Sequence, residues 1–477
     1  MHVQAVDWLA IGPVLVVTAT LLLVLLAQVV RPGSRRLLDV LALLGLTGAV
    51  VPLVLTVGDP PRNTFCTTLG ACSFQLDRLT IGLQAAALLA AVVCLLLALD
   101  EGNRDQRVEH HALFLAAVVG TLVLAGARDL LTILIALETA SLPVVALVAL
   151  RRTPTTAEAG IKLLLVSVVS FGLALLGTAL LYSGTGAVHL ESLAAGARDA
   201  SPTVLLGLVF LVCGIGYKVA ALPFGLWAPD VYAGSPVPVV AFLSTVSKVG
   251  GVAALAMILV IGLPEPARPW LAVIVAVTMT LGNAVALTQQ VAVRLLAWSA
   301  IAHGGWLLLP LAFATDPTTR IGDRGQLIGA TTAYLLAYLA GTLTVITVVV
   351  LLSRHHRAGP GHLLQDYAGL LRREPVAAVL LLLGLLSLAG LPPGVAGLVG
   401  KIAAITPVVA HGVWWLAIVA ALNIALGLVY YLRWARAVFA APDADTPTWR
   451  VTFGEGAALS VAAAALIGFS LLPGILL

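Results

Sequence analysis

Residues 130–150 read LLTILIALETASLPVVALVAL, twenty-one positions with a single charged side chain, Glu138, near the middle. About 20 mostly apolar residues rising ~1.5 Å each are enough to cross the hydrocarbon core of a bilayer. The run therefore predicts a transmembrane helix with a carboxylate roughly midway across, and Asp129 and Arg151 mark its two ends.

The rest of the chain is of the same kind. Of its 477 residues, 60% are hydrophobic and 10% charged, with a mean hydropathy of +1.07, whereas a soluble domain carries about 25% charged residues. The formal net charge of +4 comes from arginines in short stretches between apolar runs. Such cations orient a chain in a bilayer, so no nucleic-acid partner is expected. Length and hydropathy predict an all-α polytopic membrane protein of about fourteen spans, from Trp8–Val30 through Leu295–Phe313 and Val376–Val409 to Gly456–Leu476. The first of these is long, has no basic stretch before it, and is followed by Arg31, Arg35 and Arg36. It reads as a retained span and not as a signal peptide. The connecting arginines gather on one side of the alternating spans, among them Arg151, Arg152, Arg354, Arg357, Arg372 and Arg373. The positive-inside rule makes that side cytoplasmic, so both termini are expected on the opposite face.

All four lysines, Lys162, Lys218, Lys248 and Lys401, lie inside apolar runs. A lysine near the bilayer centre costs about 2.5–3.5 kcal/mol on insertion scales, and such residues normally face a bundle interior and mark an ion path. Desolvation favours the neutral amine and a nearby carboxylate favours the ammonium, so a buried lysine is a tunable proton carrier. Glu138 is its natural partner. The plainer reading is that Glu138 and one lysine neutralise each other as a tertiary staple, but a staple does not call for three further lysines. Lys162 suits the plain reading best, because it follows Glu158 by four residues and can snorkel toward the basic stretch at Arg151 and Arg152. His303, in SAIAHGGW, reads first as a histidine satisfied by helix backbone or water, with a relay role as the alternative.

Lys218 precedes Pro223 by five residues in GIGYKVAALPFGLWAPD, and Lys401 follows Pro392 by nine in AGLPPGVAGLVGK. Proline inside a span removes a backbone hydrogen bond and frees carbonyls, which is tolerated where the break is buried or lines a wet cavity. The two proline-broken segments share an A-x-L-P-like core, and interrupted segments in corresponding halves point to inverted repeats. Residues 1–109 are then an N-terminal three-helix segment, 110–263 and 268–439 two five-helix repeats, and 440–477 a C-terminal loop and helix.

The four cysteines, Cys66, Cys72, Cys94 and Cys213, form no metal pattern. A disulfide between Cys66 and Cys72 and two free thiols are both compatible with their position in a loop on the non-cytoplasmic side. No dinucleotide fingerprint, phosphate loop or cluster-binding cysteine motif occurs, so neither a cofactor nor a metal is expected on this chain.

The stretch KVAALPFGLWAPDVYAGSPVPVVAFLSTVSK, from Lys218 to Lys248, resembles almost position for position the antiporter-like membrane subunits of respiratory complex I, in particular the subunit N family. The resemblance extends from about Leu113 to Phe439 through LETASLPVVALVAL around Glu138, EAGIKLLL around Lys162, RLLAWSAIAHGGWLLL from Arg294 and LSLAGLPPGVAGLVGK ending at Lys401. It implies fourteen helices with two inverted five-helix repeats in a bacterial cytoplasmic membrane. It also implies a proton-translocating subunit of an NADH:quinone oxidoreductase, a translocase whose NADH, flavin, iron–sulfur clusters and quinone are handled by other subunits. Its partners would be the other membrane-arm subunits, lipid and protons. By the same resemblance Glu138 and Lys218 form the charge pair of one half-channel, Lys162 lies between Lys218 and Lys248 on the hydrated axis, Lys248 is the central relay, and Lys401 gates the other half. Many relatives carry histidine where this chain has Gly225, and lysine where it has Val293, so neither position can relay protons here. A sodium/proton antiporter or membrane-bound hydrogenase complex is the alternative machine, built from related subunits. A stand-alone solute transporter would need varied polar groups at midplane, and an inert spacer would not need four buried lysines.

Overall fold

The computed structural model describes residues 6–68, 70–99, 106–196, 201–262, 268–313, 321–355, 363–441 and 451–475. Arg357 and the 263–267 stretch between the two expected repeats lie outside the described residues. In chain order the helices are α1 (Gly12–Val30), α2 (Arg35–Gly48), α3 (Val50–Thr56), α4 (Arg78–Ala98), α5 (Arg107–Gly126), α6 (Leu130–Ala149) and α7 (Pro154–Thr185). They continue as α8 (Leu190–Gly196), α9 (Pro202–Gly216), α10 (Ala228–Gly234), α11 (Val237–Ser244), α12 (Val246–Gly262), α13 (Arg268–Ala286) and α14 (Ala292–Leu308). The last six are α15 (Ile321–His355), α16 (Leu370–Arg373), α17 (Pro375–Ala389), α18 (Val395–Ala410), α19 (Trp414–Phe439) and α20 (Phe453–Leu471).

Among the described residues, 12 helical runs are long and apolar enough to cross a membrane. Two of the expected spans take other forms. The 295–313 segment is carried by α14, of 17 residues, and 376–409 is divided into α17 and α18 by the Pro392-Pro393 break. The all-α expectation also meets one exception, a hairpin of β1 (Arg62–Cys66) against β2 (Cys72–Leu76), in which Cys66 and Cys72 are joined as a disulfide. That pairing resolves the choice the spacing left open.

Helix starts follow local chemistry. Asp129 caps α6, accepting from the Thr132 amide at 2.8 Å, and Thr153 and Thr156 cap α7 reciprocally with Pro154 in its first turn. Each device meets amide donors that a helix start leaves without intrahelical partners.

The chain forms two compact units. The first comprises Met1–Leu95, Glu101–Val219 and Val246–Ala267. Here α12 packs against α5, α6, α9 and the turn Tyr217–Val219. Small residues let backbones touch: a Cβ on Gly120 would lie 2.3 Å from the Ala140 amide nitrogen, and one on Gly177 2.4 Å from that of Leu211. Such close approach is how helices associate where lipid offers no hydrophobic contrast. Outward positions on α7 are apolar, with Ile161 and Leu165 well exposed, as a lipid-facing surface requires.

The second unit comprises Leu96–Asp100, Ala220–Thr245 and Arg268–Leu477. At its centre nearly every residue of α15 over 333–352 is buried, and Ala333, Ala337 and Ala340 pack with Ala396 of α18 and Leu466 of α20. The end of α15 is tied to the start of α20 by Arg354, which donates to Glu455 Oε1 at 2.8 Å, while Glu455 Oε2 accepts from the Thr452 amide at 3.0 Å. Glu455 is buried, so Glu455→Gln leaves the guanidinium short of its charged acceptor. A loss of about 2 kcal/mol is expected for a charge-assisted bond of this kind, seen as a lower thermal unfolding midpoint of the detergent-solubilised protein. An unchanged midpoint would contradict it.

Ala220–Thr245 belongs with the C-terminal half, because α10 packs on α14 and α11 on α15. The chain leaves the first unit where helical hydrogen bonding ends after Val219, at Ala220, which has a φ of 60°.

Candidate functional site

Lys218 sits in the turn Tyr217–Val219 that ends α9 and is 4% exposed. Its ammonium donates to Ala140 O at 3.0 Å and to Ser141 Oγ at 2.8 Å, both on α6. Pro143 lies inside α6; lacking an N–H, it opens the hydrogen-bond ladder next to these two acceptors. Ser141 Oγ lies 2.5 Å from the Tyr217 hydroxyl and also reaches Leu137 O at 2.6 Å. A hydroxyl network therefore surrounds the buried cation.

Glu138 lies one helical turn before Ser141. It is only partly buried, and its Oε1 is shielded from solvent without a hydrogen-bond partner. The lysine donates to Ala140 and Ser141 and not to Glu138. The Lys218 ammonium is thus held by neutral acceptors and makes no ion pair with Glu138 in this structure.

Lys248 is 1% exposed near the start of α12. Three residues on, Gly251 brings the same helix against the Lys218 stem: a Cβ there would lie 2.8 Å from Lys218 Cβ. The first unit thus gathers Glu138, Lys218 and Lys248. Lys162 is placed differently. Its side chain is 42% exposed and pairs with Glu158 Oε1 at 2.8 Å. It is the one lysine of the four that is not buried, and its pairing with Glu158 is the i,i+4 contact that the sequence offered.

Lys401, in the second unit, is 4% exposed and donates to Leu388 O at 2.9 Å and Ala389 O at 2.7 Å. These carbonyls end α17 just before the Pro392-Pro393 break, where no following helical amide meets them. The ammonium also lies 5.5 Å from the Trp306 ring centroid, within cation–π range. Trp306 stacks on Tyr334, and His303, one turn earlier on α14, meets side-chain hydroxyls on both ring nitrogens. Nδ1 lies 2.5 Å from Tyr334 Oη and Nε2 3.0 Å from Tyr431 Oη, which is itself 2.5 Å from Ser299 Oγ. The backbone or water expected for His303 is replaced at these atoms by a tyrosine–serine cluster.

Gly225 and Val293 carry no ionisable group. The first has a structural reason for glycine: a Cβ there would lie 2.1 Å from Ala220 O. Ser141, Tyr217, Ser299, Tyr334 and Tyr431 were not singled out from the sequence. Adjacency to Glu138 and Lys218 was a usable signal for Ser141 and Tyr217. The other three come from α14, α15 and α19 and meet only in the fold.

Residues 127–427 match the family described as NADH:quinone oxidoreductase/Mrp antiporter, transmembrane. NADH-quinone oxidoreductase subunit N 2 of Streptomyces griseus is 40% identical over 94% of this chain and 85% of its own length. Among solved structures, a chain of respiratory complex I from Thermus thermophilus with bound aureothin superposes with a TM-score of 0.82 at 32% identity, covering 97% of this chain and 98% of that one. A chain of the Mrp complex from a Dietzia species has a TM-score of 0.85 at 19% identity, covering 98% and 96%, and shares the fold. The broken helices with their buried lysines are thus set in a scaffold and a sequence of one kind, and the chain belongs to the NADH:quinone oxidoreductase/Mrp antiporter family, within it to the NADH-quinone oxidoreductase subunit N group.

Proposed function

We propose that this chain is a proton-translocating membrane-arm subunit of a bacterial NADH:quinone oxidoreductase, and that Glu138, Lys218, Lys248 and Lys401 carry the proton in turn. Quinone reduction in other subunits, which hold the flavin, iron–sulfur clusters and quinone, supplies the driving force. The observation that carries the reading is the seating of Lys218 and Lys401. Each is a buried ammonium near a proline break held by neutral acceptors, Ala140 O and Ser141 Oγ for Lys218 and Leu388 O and Ala389 O for Lys401, with no carboxylate in contact among the described residues. Such a cation keeps an acceptor set whether or not it is charged, and a change in a nearby charge decides its protonation. Displacement of Glu138 relative to Lys218 switches Lys218, whose charge biases Lys248 and then Lys401. Groups coupled in this way titrate as one set.

The recurrence of a carbonyl-seated lysine supports two inverted repeats, one around each broken segment. The arginine distribution supports both termini facing away from the cytoplasm. Lys162, bound to Glu158 at the helix surface, is left out of the main path.

The test is NADH-driven acidification of inverted membrane vesicles. Glu138→Gln and Lys401→Ala are expected to lower it on the order of tenfold or more, the scale on which a positioned proton carrier acts, with the complex assembled. Lys162→Ala should retain most of it. Wild-type acidification in both Glu138→Gln and Lys401→Ala removes these residues from the path.

A further inference from the structure

The turn that joins α1 to α2 carries three arginines within six positions, Arg31, Arg35 and Arg36. Arg31 and Arg36 are exposed and Arg35 is half-buried, and among the described residues no carboxylate pairs with any of them. The nearest acid along α2, Asp39, is already engaged: its Oδ1 accepts from Arg107 at 3.2 Å and lies 2.9 Å from His111 Nε2. Elsewhere arginines meet their counter-charge inside the protein, Arg294 on Asp230 and Arg354 on Glu455. α2 also has no acidic residue in its first turn, so the positive end of its dipole adds to the three guanidinium groups.

The helix surfaces that lead to this turn are apolar and open. On α1 Leu22, Leu26 and Val29 recur at steps of four and three, each more than half exposed. On α2 Val40 and Leu44 follow Arg36 at steps of four and are half exposed or more. Residues so spaced share one helix face, which puts the Arg36 position at the head of an apolar stripe. The two helices are held together where Thr20 meets Gly45, at which a Cβ would lie 2.1 Å from the threonine Oγ1.

We propose that the α1–α2 turn is a binding site for an anionic phospholipid, whose phosphodiester is taken by Arg31, Arg35 and Arg36 and whose acyl chains lie along the exposed stripes of α1 and α2. Arginine presents a planar fork of donors that matches phosphate oxygens, and arginines beside a span are drawn to anionic headgroups. The chemistry selects this occupant over its rivals. A free phosphate ion uses the arginines and leaves the apolar stripes uncovered. A zwitterionic lipid covers the stripes but brings its own cation to a turn that already holds three. The inference is independent of the proton path.

The test uses the intact complex in lipid nanodiscs, of phosphatidylcholine alone or with phosphatidylglycerol added, and reads amide hydrogen exchange over residues 31–38. Exchange there reports local opening of the turn and the first turn of α2. It should be several-fold slower with phosphatidylglycerol present, and the difference should shrink as salt is raised. The double variant Arg31→Gln with Arg36→Gln should lose the difference, and inorganic phosphate added to phosphatidylcholine discs should not reproduce it. Equal exchange in the two kinds of disc overturns the inference and means that the turn is open or is covered by a protein subunit. Protection by inorganic phosphate alone overturns it in favour of a free-anion site, and full protection retained in the double variant shows that the arginines do not hold the lipid. Should the double variant fail to assemble, the lipid, salt and phosphate arms on the wild type decide the matter by themselves.

Discussion

Lys218→Ala is expected to abolish NADH-driven acidification, by tenfold or more, in a complex that still assembles. Assembly survives because the substitution removes a buried cation, whose desolvation opposes folding. It strands only Ala140 O and one acceptor site on Ser141, and Ser141 keeps its contacts to Tyr217 and Leu137 O. Lys218→Arg separates relay from staple. Arginine keeps the charge and the donors but cannot release its proton in a protein. A staple is restored by arginine, and a relay is not. Recovery of acidification in Lys218→Arg would therefore count against proton transfer at this position, as would wild-type acidification in Lys218→Ala.

Gly397→Ala should be the most damaging single methyl group in the second unit. The new Cβ would lie 1.7 Å from Ser387 O and 2.5 Å from its carbonyl carbon. Both are backbone atoms that no rotamer change can move, so α18 must shift away from α17. Overpacking of a well-filled core costs about 1–3 kcal/mol, and contact with backbone belongs at or above the upper end. Lys401 follows Gly397 by one turn on the same face of α18 and takes its acceptors from Leu388 and Ala389, the residues directly after Ser387. The shift therefore pulls the ammonium off its seat as well as loosening the helices. The expected result is little assembled complex in the membrane, and no acidification from what remains. Gly468→Ala on α20, where a Cβ meets nothing within 4 Å, is the matched control and should be silent. Normal levels and activity of Gly397→Ala would mean that α17 and α18 are not held as described.

The sequence by itself determined the membrane setting and the chemistry. Long apolar runs admit one backbone solution in lipid, the helix, since every amide and carbonyl must be met within the segment. The same constraint made each exception legible: a glutamate at mid-run, lysines where charge is costly, and prolines at Pro223 and Pro392 that free carbonyls. Tertiary structure decided which atoms meet. Hydropathy runs along the chain, but the rotation of a helix about its axis is set by neighbours in contact. It leaves Lys162 partly exposed and buries Lys218 on Ala140 and Ser141. The tyrosines at His303 come from helices distant in sequence, and the joining of Ala220–Thr245 to the C-terminal half follows from packing on α14 and α15. Those outcomes depend on three-dimensional contact between surfaces that are equally apolar in sequence, so only the folded chain could select among them.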